Sequence, residues 1–185
     1  MRVIGGLAKG TKLFPAKGKA RPTSELVREA IFNVFSSFEG KIFLDIFAGT
    51  GSVGIEALSR GAKVSYFIEQ DKILVRVLKE NLKRCGFMEK SRIYPISASD
   101  ALRIIKKDGG AFDAIFADPP YDRGWVERIL FLVSAGNLLS SAGVLIIQHS
   151  KREKVKEIAG NLVLSKEKSY GDTHLAFYNK DSHGA

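Results

Sequence analysis

Apolar residues in this chain fall into short continuous runs separated by amphipathic stretches, and that alternation sets the expected elements. Strand runs cover residues 41–47, 63–69, 92–97, 112–117, 144–149, 162–168 and 174–179. Helical spacing predicts helices over 53–60, 72–85, 100–107, 123–135 and 151–159. An earlier helix is expected after Thr23 or Ser24, either of which can cap it. There Leu26, Val27, Ala30, Ile31, Val34 and Phe35 recur at helical spacing. The first strands are almost wholly apolar, as in a parallel sheet covered on both faces. The last two strands are linked only by residues 169–173, too few for a crossover, so they are expected to pair antiparallel. The expected fold is α/β: a doubly wound, mostly parallel seven-stranded sheet with an antiparallel C-terminal hairpin.

Length and composition narrow this further. The 185 residues, 45% of them hydrophobic, suffice for one core but not for a cofactor domain plus a separate substrate domain. The expected organisation is an extension over 1–22, one domain over 23–180 and a frayed tail over 181–185. No apolar run approaches the length of a membrane-spanning helix. The start, Met1-Arg2-Val3-Ile4-Gly5-Gly6, lacks the apolar core of a signal peptide. One cysteine, Cys85, excludes an internal disulfide or a cysteine-cluster metal site. These features point to a cytoplasmic protein with no membrane partner, expected as a monomer.

Charge changes the picture more. Lys plus Arg number 29 against 20 acids, a net charge of +9. No acid precedes Glu25, whereas Arg2, Lys9, Lys12, Lys17, Lys19 and Arg21 are all basic. Glycines and the apolar pairs Val3-Ile4 and Leu13-Phe14 punctuate this segment. It reads as a short basic β-hairpin presenting cations to a polyanion. His149, His174 and His183 have no spacing that suggests a metal or a catalytic triad, so no metal is expected. Cys85 and Trp125 read as packing residues.

The first strand leads through Asp45, Phe47 and Ala48 into Gly49-Thr50-Gly51-Ser52-Val53-Gly54, and a helix follows. Gly49, Gly51 and Gly54 satisfy a dinucleotide-binding spacing. Alone this is weak, because glycine-rich strand-to-helix turns also arise for packing. Three acids sharpen it. Asp45 lies inside the first strand, Glu69 ends the second, and Asp100 follows the third within Ser99-Asp100-Ala101. A carboxylate at the position of Glu69, followed by Gln70, can take both hydroxyls of a ribose. Singly, Asp100 could be a helix cap and Glu69 a solvated strand end, but ligands of such sheets bind where these strand ends gather. Asp45 would repel a pyrophosphate, and it suits S-adenosylmethionine, which carries a sulfonium and an ammonium and no phosphate. This disfavours an NAD-dependent oxidoreductase.

The fourth strand closes on Asp118-Pro119-Pro120-Tyr121. A carboxylate, rigid backbone carbonyls and an aromatic ring at one strand end can hold a flat, amine-bearing ring. An ordinary Pro-Pro turn is the plain alternative.

Asp45 through Gly51, Glu69, Asp100 and Asp118-Pro119-Pro120-Tyr121 resemble the Rossmann-like, S-adenosylmethionine-dependent methyltransferases of exocyclic amines. Further matches are Arg2-Val3-Ile4-Gly5-Gly6 with Lys9-Gly10, Arg21-Pro22-Thr23, Arg28-Glu29-Ala30-Ile31-Phe32-Asn33 and Tyr170-Gly171-Asp172-Thr173. Together they resemble the RsmD-type guanine-N2 methyltransferases of 16S ribosomal RNA. The resemblance implies S-adenosylmethionine as cofactor and a guanine of 16S ribosomal RNA, in an assembled or assembling small subunit, as substrate. It implies Asp118, Pro119, Pro120 and Tyr121 as catalytic residues. It implies cofactor binding by Asp45, Phe47, Ala48, Gly49, Thr50, Gly51, Glu69, Gln70, Ser99, Asp100 and Ala101. Arg2, Lys9, Lys12, Lys17, Lys19, Arg21 and Thr23 are then expected to meet RNA. A DNA adenine methyltransferase, another ribosomal guanine methyltransferase and a non-enzymatic RNA-binding domain are the alternatives.

Overall fold

Residues Met1 to Leu13 fold back on themselves, because Val3 and Leu13 need burial and the glycines between them permit the turn. Arg2 bridges Lys12, the Val3 N–H donates to Thr11 at 3.0 Å and the Leu13 N–H donates to Met1 at 3.0 Å. The expected basic hairpin is therefore present, although only as a single bridge with its flanking hydrogen bonds. The structure is a computed structural model that describes residues 1–15, 24–35 and 37–181. Lys17, Lys19, Arg21 and Thr23, the expected boundary at residue 22 and His183 lie outside the described residues. The chain divides into two compact units, Met1–Ala98 and Ser99–Ala185.

In the first unit, helix α1 (Glu25–Phe32) is capped by Ser24, whose hydroxyl accepts from the Val27 N–H at 3.2 Å. It stops at Phe32 instead of continuing to Phe35. An aromatic cluster rewards the break: Phe38 meets Phe32 and Phe35 edge-on, at ring separations of 5.0 and 5.2 Å. Strand β1 (Ile42–Ile46), helix α2 (Ser52–Ser59), strand β2 (Val64–Ile68), helix α3 (Lys72–Cys85) and strand β3 (Ser91–Tyr94) follow. β1 pairs parallel with β2, and β2 with β3. α3 has the expected bounds, with Asp71 capping its start and Gly86 at φ 74° closing its end.

The second unit holds helix α4 (Ala98–Lys107), whose first residue still belongs to the first unit. Strand β4 (Phe112–Ala117), helix α5 (Trp125–Gly136) and strand β5 (Leu139–Ser150) come next. β4 and β5 are parallel, with an irregularity between Phe112 and Ala114 that lets β5 begin five residues before the expected position. Strand β6 (Ile158–Ala159) leads to strands β7 (Leu162–Tyr170) and β8 (Thr173–Lys180), and β8 pairs antiparallel with both β5 and β7. The expected C-terminal hairpin is thus borne out.

Two expectations are corrected. Residues 151–159 form no helix: a turn follows Ser150, whose hydroxyl accepts from the Arg152 N–H at 3.2 Å. A helix there would bury no continuous stripe, having only Val155, Ile158 and Ala159 as apolar residues. Instead Ile158 and Ala159 pair with Val163 and Leu162, which makes eight strands among the described residues rather than seven. At the end of the chain, Asp181, expected to be frayed, donates its N–H to Asn161 at 2.8 Å. Among the described residues no helix is long and apolar enough to cross a membrane.

Candidate active site

Each unit carries one half of the chemistry expected from the sequence. In the first unit, β1 runs into a turn through Phe47 (φ 63°), Gly49 (φ 56°) and Gly51 (φ 81°) before α2 begins. A left-handed phenylalanine is rare because its Cβ crowds the backbone, and such conformations persist where surrounding structure holds them. The three motif glycines serve two purposes. A Cβ on Gly54 would lie 2.3 Å from the Phe67 ring, and one on Gly51 would lie 2.2 Å from the Leu78 side chain. Those two are glycines so that α2 can pack closely. A Cβ on Gly49 would meet nothing within 4 Å, so Gly49 borders open space. That open side is where a ligand can approach the backbone.

Two carboxylates hold this loop. Asp45, 1% exposed, accepts from the Gly54 N–H at 2.9 Å and so caps α2 from the neighbouring strand. Gly51 occupies the N-cap position and has no side chain for that task. Asp45 therefore has a structural duty in addition to the charge complementarity expected of it. Glu69 accepts from the Gly49 N–H at 2.9 Å through one oxygen and from the Asp71 N–H at 2.8 Å through the other. A carboxylate offers about four lone-pair sites, so this one keeps acceptor capacity for a pair of hydroxyls. Phe47, Ala48 and Gly49 are half-buried, Thr50 and Gly51 buried, and Gln70 exposed.

In the second unit, α4 starts two residues before the expected position, so Asp100 lies within its first turn and not at its cap. Asp100 pairs with Arg103 at 3.1 Å on an exposed surface. Ser99 is buried with no hydrogen-bond partner for its hydroxyl, and Ala101 is fully buried. β4 delivers Asp118 half-buried, Pro119 buried, Pro120 exposed and Tyr121 half-buried. The Tyr121 hydroxyl accepts from Gln148 Nε2 at 2.8 Å. Asp122 sits at φ 58°, accepting from Ser150 Oγ at 3.1 Å and from Arg152 Nη2 at 2.7 Å. The end of β5 therefore grips the turn that follows β4 at two points.

Sequence reasoning missed Gln148, Ser150, Asp122 and Asn81. Polar Gln148-His149-Ser150 closing the apolar run 144–147 was a usable signal. Asn81 had none. It lies within α3 at 0% exposure, donating from Nδ2 to the carbonyls of Thr50 (3.0 Å) and Phe14 (3.2 Å) and accepting from the Phe14 N–H (2.7 Å). Of the expected RNA-facing residues that are described, Arg2, Lys9 and Lys12 are all exposed. Cys85 is half-buried, and burial raises its thiol pKa, which suits packing more than reactivity.

Parallel βαβ units, a glycine turn bordered by carboxylates and an antiparallel C-terminal hairpin define a Rossmann-like fold of the methyltransferase class. Residues 1–179 match the family described as Conserved hypothetical protein 95. The Bacillus subtilis protein named "Putative rRNA methyltransferase YlbH" is 36% identical, with 97% of this chain and 99% of that protein covered. The Ribosomal RNA small subunit methyltransferase D of Escherichia coli is 30% identical, covering 100% of this chain and 92% of its own length. The solved Escherichia coli protein yhhF superposes with a TM-score of 0.86 at 29% identity, covering 99% of both chains. The chain belongs to this family of RsmD-type, S-adenosylmethionine-dependent methyltransferases.

Proposed function

We propose that this chain transfers a methyl group from S-adenosylmethionine to the exocyclic N2 amine of a guanine in 16S ribosomal RNA. The observation that carries the reading is the Asp-Pro-Pro-Tyr turn held by Gln148, in a chain similar over its full length to small-subunit ribosomal RNA methyltransferases. The coarser reading, methylation of ribosomal RNA, is supported by the names of the relatives. Guanine N2 is supported by the residues that resemble the guanine-modifying family, namely the N-terminal motifs and the Tyr170-Gly171-Asp172-Thr173 turn.

In this reading the open side of Gly49 and the carboxylate of Glu69 receive the nucleoside part of the cofactor. The buried charge of Asp45 favours a cationic donor over a phosphate-bearing one. Ser99, Asp100 and Ala101 border the adenine, where Asp100 accepts from its amine. Methyl transfer is an in-line displacement: the guanine nitrogen bonds the methyl carbon as the carbon–sulfur bond breaks. That nitrogen is a poor nucleophile because its lone pair is delocalised into the ring. The Asp118 carboxylate and the Pro119 carbonyl accept hydrogen bonds from its two hydrogens and favour a pyramidal, attacking geometry. The methylated nitrogen then releases one proton to solvent, leaving a neutral secondary amine. Proline at 119 and 120 fixes φ and keeps that carbonyl in place. Tyr121 stacks on the extruded base, with its ring azimuth set by the Gln148 bond to its hydroxyl. Positioning of this kind supplies much of the acceleration in reactions that need little acid–base chemistry.

Arg2, Lys9 and Lys12, with Lys17, Lys19, Arg21 and Thr23, supply phosphate contacts, so RNA affinity falls as salt rises. We place the substrate within an assembled or assembling small subunit, a particle whose fold would present the target base to the enzyme. We treat 23–180 as the methyltransferase domain and 1–22 as its substrate arm. The test is transfer of labelled methyl to hypomethylated small subunits, free 16S ribosomal RNA and DNA, followed by mapping of the product nucleotide. Label on N2 of a guanine in the subunits is the expected result, and label confined to DNA adenine overturns it.

A further inference from the structure

Two of the histidines that showed no metal spacing in the sequence, His149 and His174, are brought together by the second unit. His149 of β5 and His174 of β8 are direct partners across the antiparallel pair, so their side chains share one face of the sheet. Ser169 of β7 is the partner of His174, and Glu167, two residues along β7, falls on that same face. The Glu167 Oε1 atom lies 2.9 Å from His174 Nδ1 and 3.4 Å from His149 Nε2. All three donor atoms lie within 4.8 Å of one another.

A second observation concerns His149 alone. Its ring is 0% exposed, and its Nδ1 lies 3.0 Å from the Ser150 carbonyl oxygen. A carbonyl only accepts, so Nδ1 carries a hydrogen and the neutral ring presents a bare lone pair at Nε2. That Nε2 has no hydrogen-bond partner, and it faces the Glu167 carboxylate. Two lone-pair-bearing atoms facing each other, one of them on a fully buried ring, call for a cation between them. A ring N–H held by a backbone carbonyl is also how metal-ligating histidines are oriented.

We propose that His149 Nε2, Glu167 Oε1 and His174 Nδ1 form a binding site for a divalent transition metal of the zinc class. Two imidazoles and one carboxylate favour such a metal over magnesium or calcium, which take oxygen ligands. Metal–ligand bonds of about 2.0–2.1 Å in a tetrahedron set donor atoms roughly 3.3 Å apart, close to the separations from Glu167. Glu167 and His174 are partly exposed, with 37% and 21% of their side chains accessible. They can shift to close the shell, and they leave the fourth position to water. Ligation through His174 Nδ1 moves that ring's hydrogen to Nε2. Gln148 and Ser150, which flank His149, hold Tyr121 and Asp122. A bound metal therefore ties three strands together directly behind the turn that follows β4. The site rests on its own geometry and not on the identity of the methyl acceptor.

The test uses the full chain without an affinity tag, stripped by a chelator and titrated with zinc against a competing indicator, with magnesium and calcium as controls. One zinc per chain is expected, together with a higher thermal midpoint. Glu167→Gln and His174→Gln should each weaken binding by about 10–100-fold and abolish the thermal gain. Cys85→Ser should leave both unchanged. Zinc binding no tighter than magnesium binding overturns the proposal, as does zinc affinity unaltered in both variants.

Discussion

Asn81 grips the backbone of Phe14 on both sides, accepting from its N–H at 2.7 Å and donating to its carbonyl at 3.2 Å. The same amide donates to Thr50 in the glycine turn at 3.0 Å. One buried side chain thus joins the basic N-terminal segment to the loop read as the cofactor site. Asn81→Ala leaves those backbone groups short of partners and should cost about 1–3 kcal/mol in urea unfolding. It should also weaken S-adenosylmethionine binding in calorimetry, because Thr50 loses its anchor. Unaltered cofactor affinity in a folded variant would separate the loop from the arm.

Glu56 organises the other side of that segment. It accepts from the N–H groups of Ile4 at 2.7 Å and Gly5 at 2.8 Å and from Arg60 Nε at 2.8 Å. Arg28, fully buried, has three guanidinium nitrogens without hydrogen bonds, and Glu56 is its nearest carboxylate at 3.9 Å. Burial lowers the Arg28 pKa, while Glu56 and then Glu25 oppose that fall. Glu56→Gln strands a buried charge and should destabilise by about 3–5 kcal/mol. Adding Arg28→Met should recover most of the loss, which chemical denaturation of the single and double variants would measure.

The motif glycines should divide by role. Gly54→Ala drives a methyl into the Phe67 ring and should cost about 1–3 kcal/mol through overpacking. Gly49→Ala meets no protein atom and should cost only about 1–2 kcal/mol for its left-handed backbone. Its methyl would stand on the open side of the turn, so cofactor affinity should fall more than stability does. Parallel thermal melts and binding isotherms check the contrast.

Tyr178 gives an alkaline signature. Its hydroxyl donates to the Lys156 carbonyl at 2.8 Å, and burial, with Glu167 adding to it, pushes its pKa up from 10.0 to about 12. The folded state favours the neutral phenol, so the stabilisation is complete below the unfolded value and is lost as pH rises through the folded one. Stability should decline between pH 10.0 and about 12, and Tyr178→Phe should flatten that decline in urea midpoints measured across the range.

Legibility in the sequence followed the range of the interactions involved. Lys72–Cys85 was recovered to the residue because its amphipathic spacing, the cap of Asp71 and the closing Gly86 are local. Residues 151–159 misled because a few apolar positions imitate a helical stripe, while pairing with β7 decides the outcome. Asp45 and Glu69 were found at the ends of β1 and β2, whereas Asp100 lies in the first turn of α4. That Asp45 spends a lone pair on Gly54, and Glu69 both its oxygens on backbone amides, depends on how the glycine turn closes.

By itself, the sequence determined the α/β class, the glycine turn, the carboxylates at successive strand ends and the Asp-Pro-Pro-Tyr turn. Each is written in residue type and short-range spacing, which fix backbone conformation and charge locally. Only the tertiary structure decided that Asn81 joins Phe14 to Thr50, 67 and 31 residues away. Only it placed Gln148 on Tyr121 and gathered His149, Glu167 and His174 on one sheet face. Strand register makes those meetings, and register is set by which apolar faces pack together, a quantity no short stretch of sequence contains.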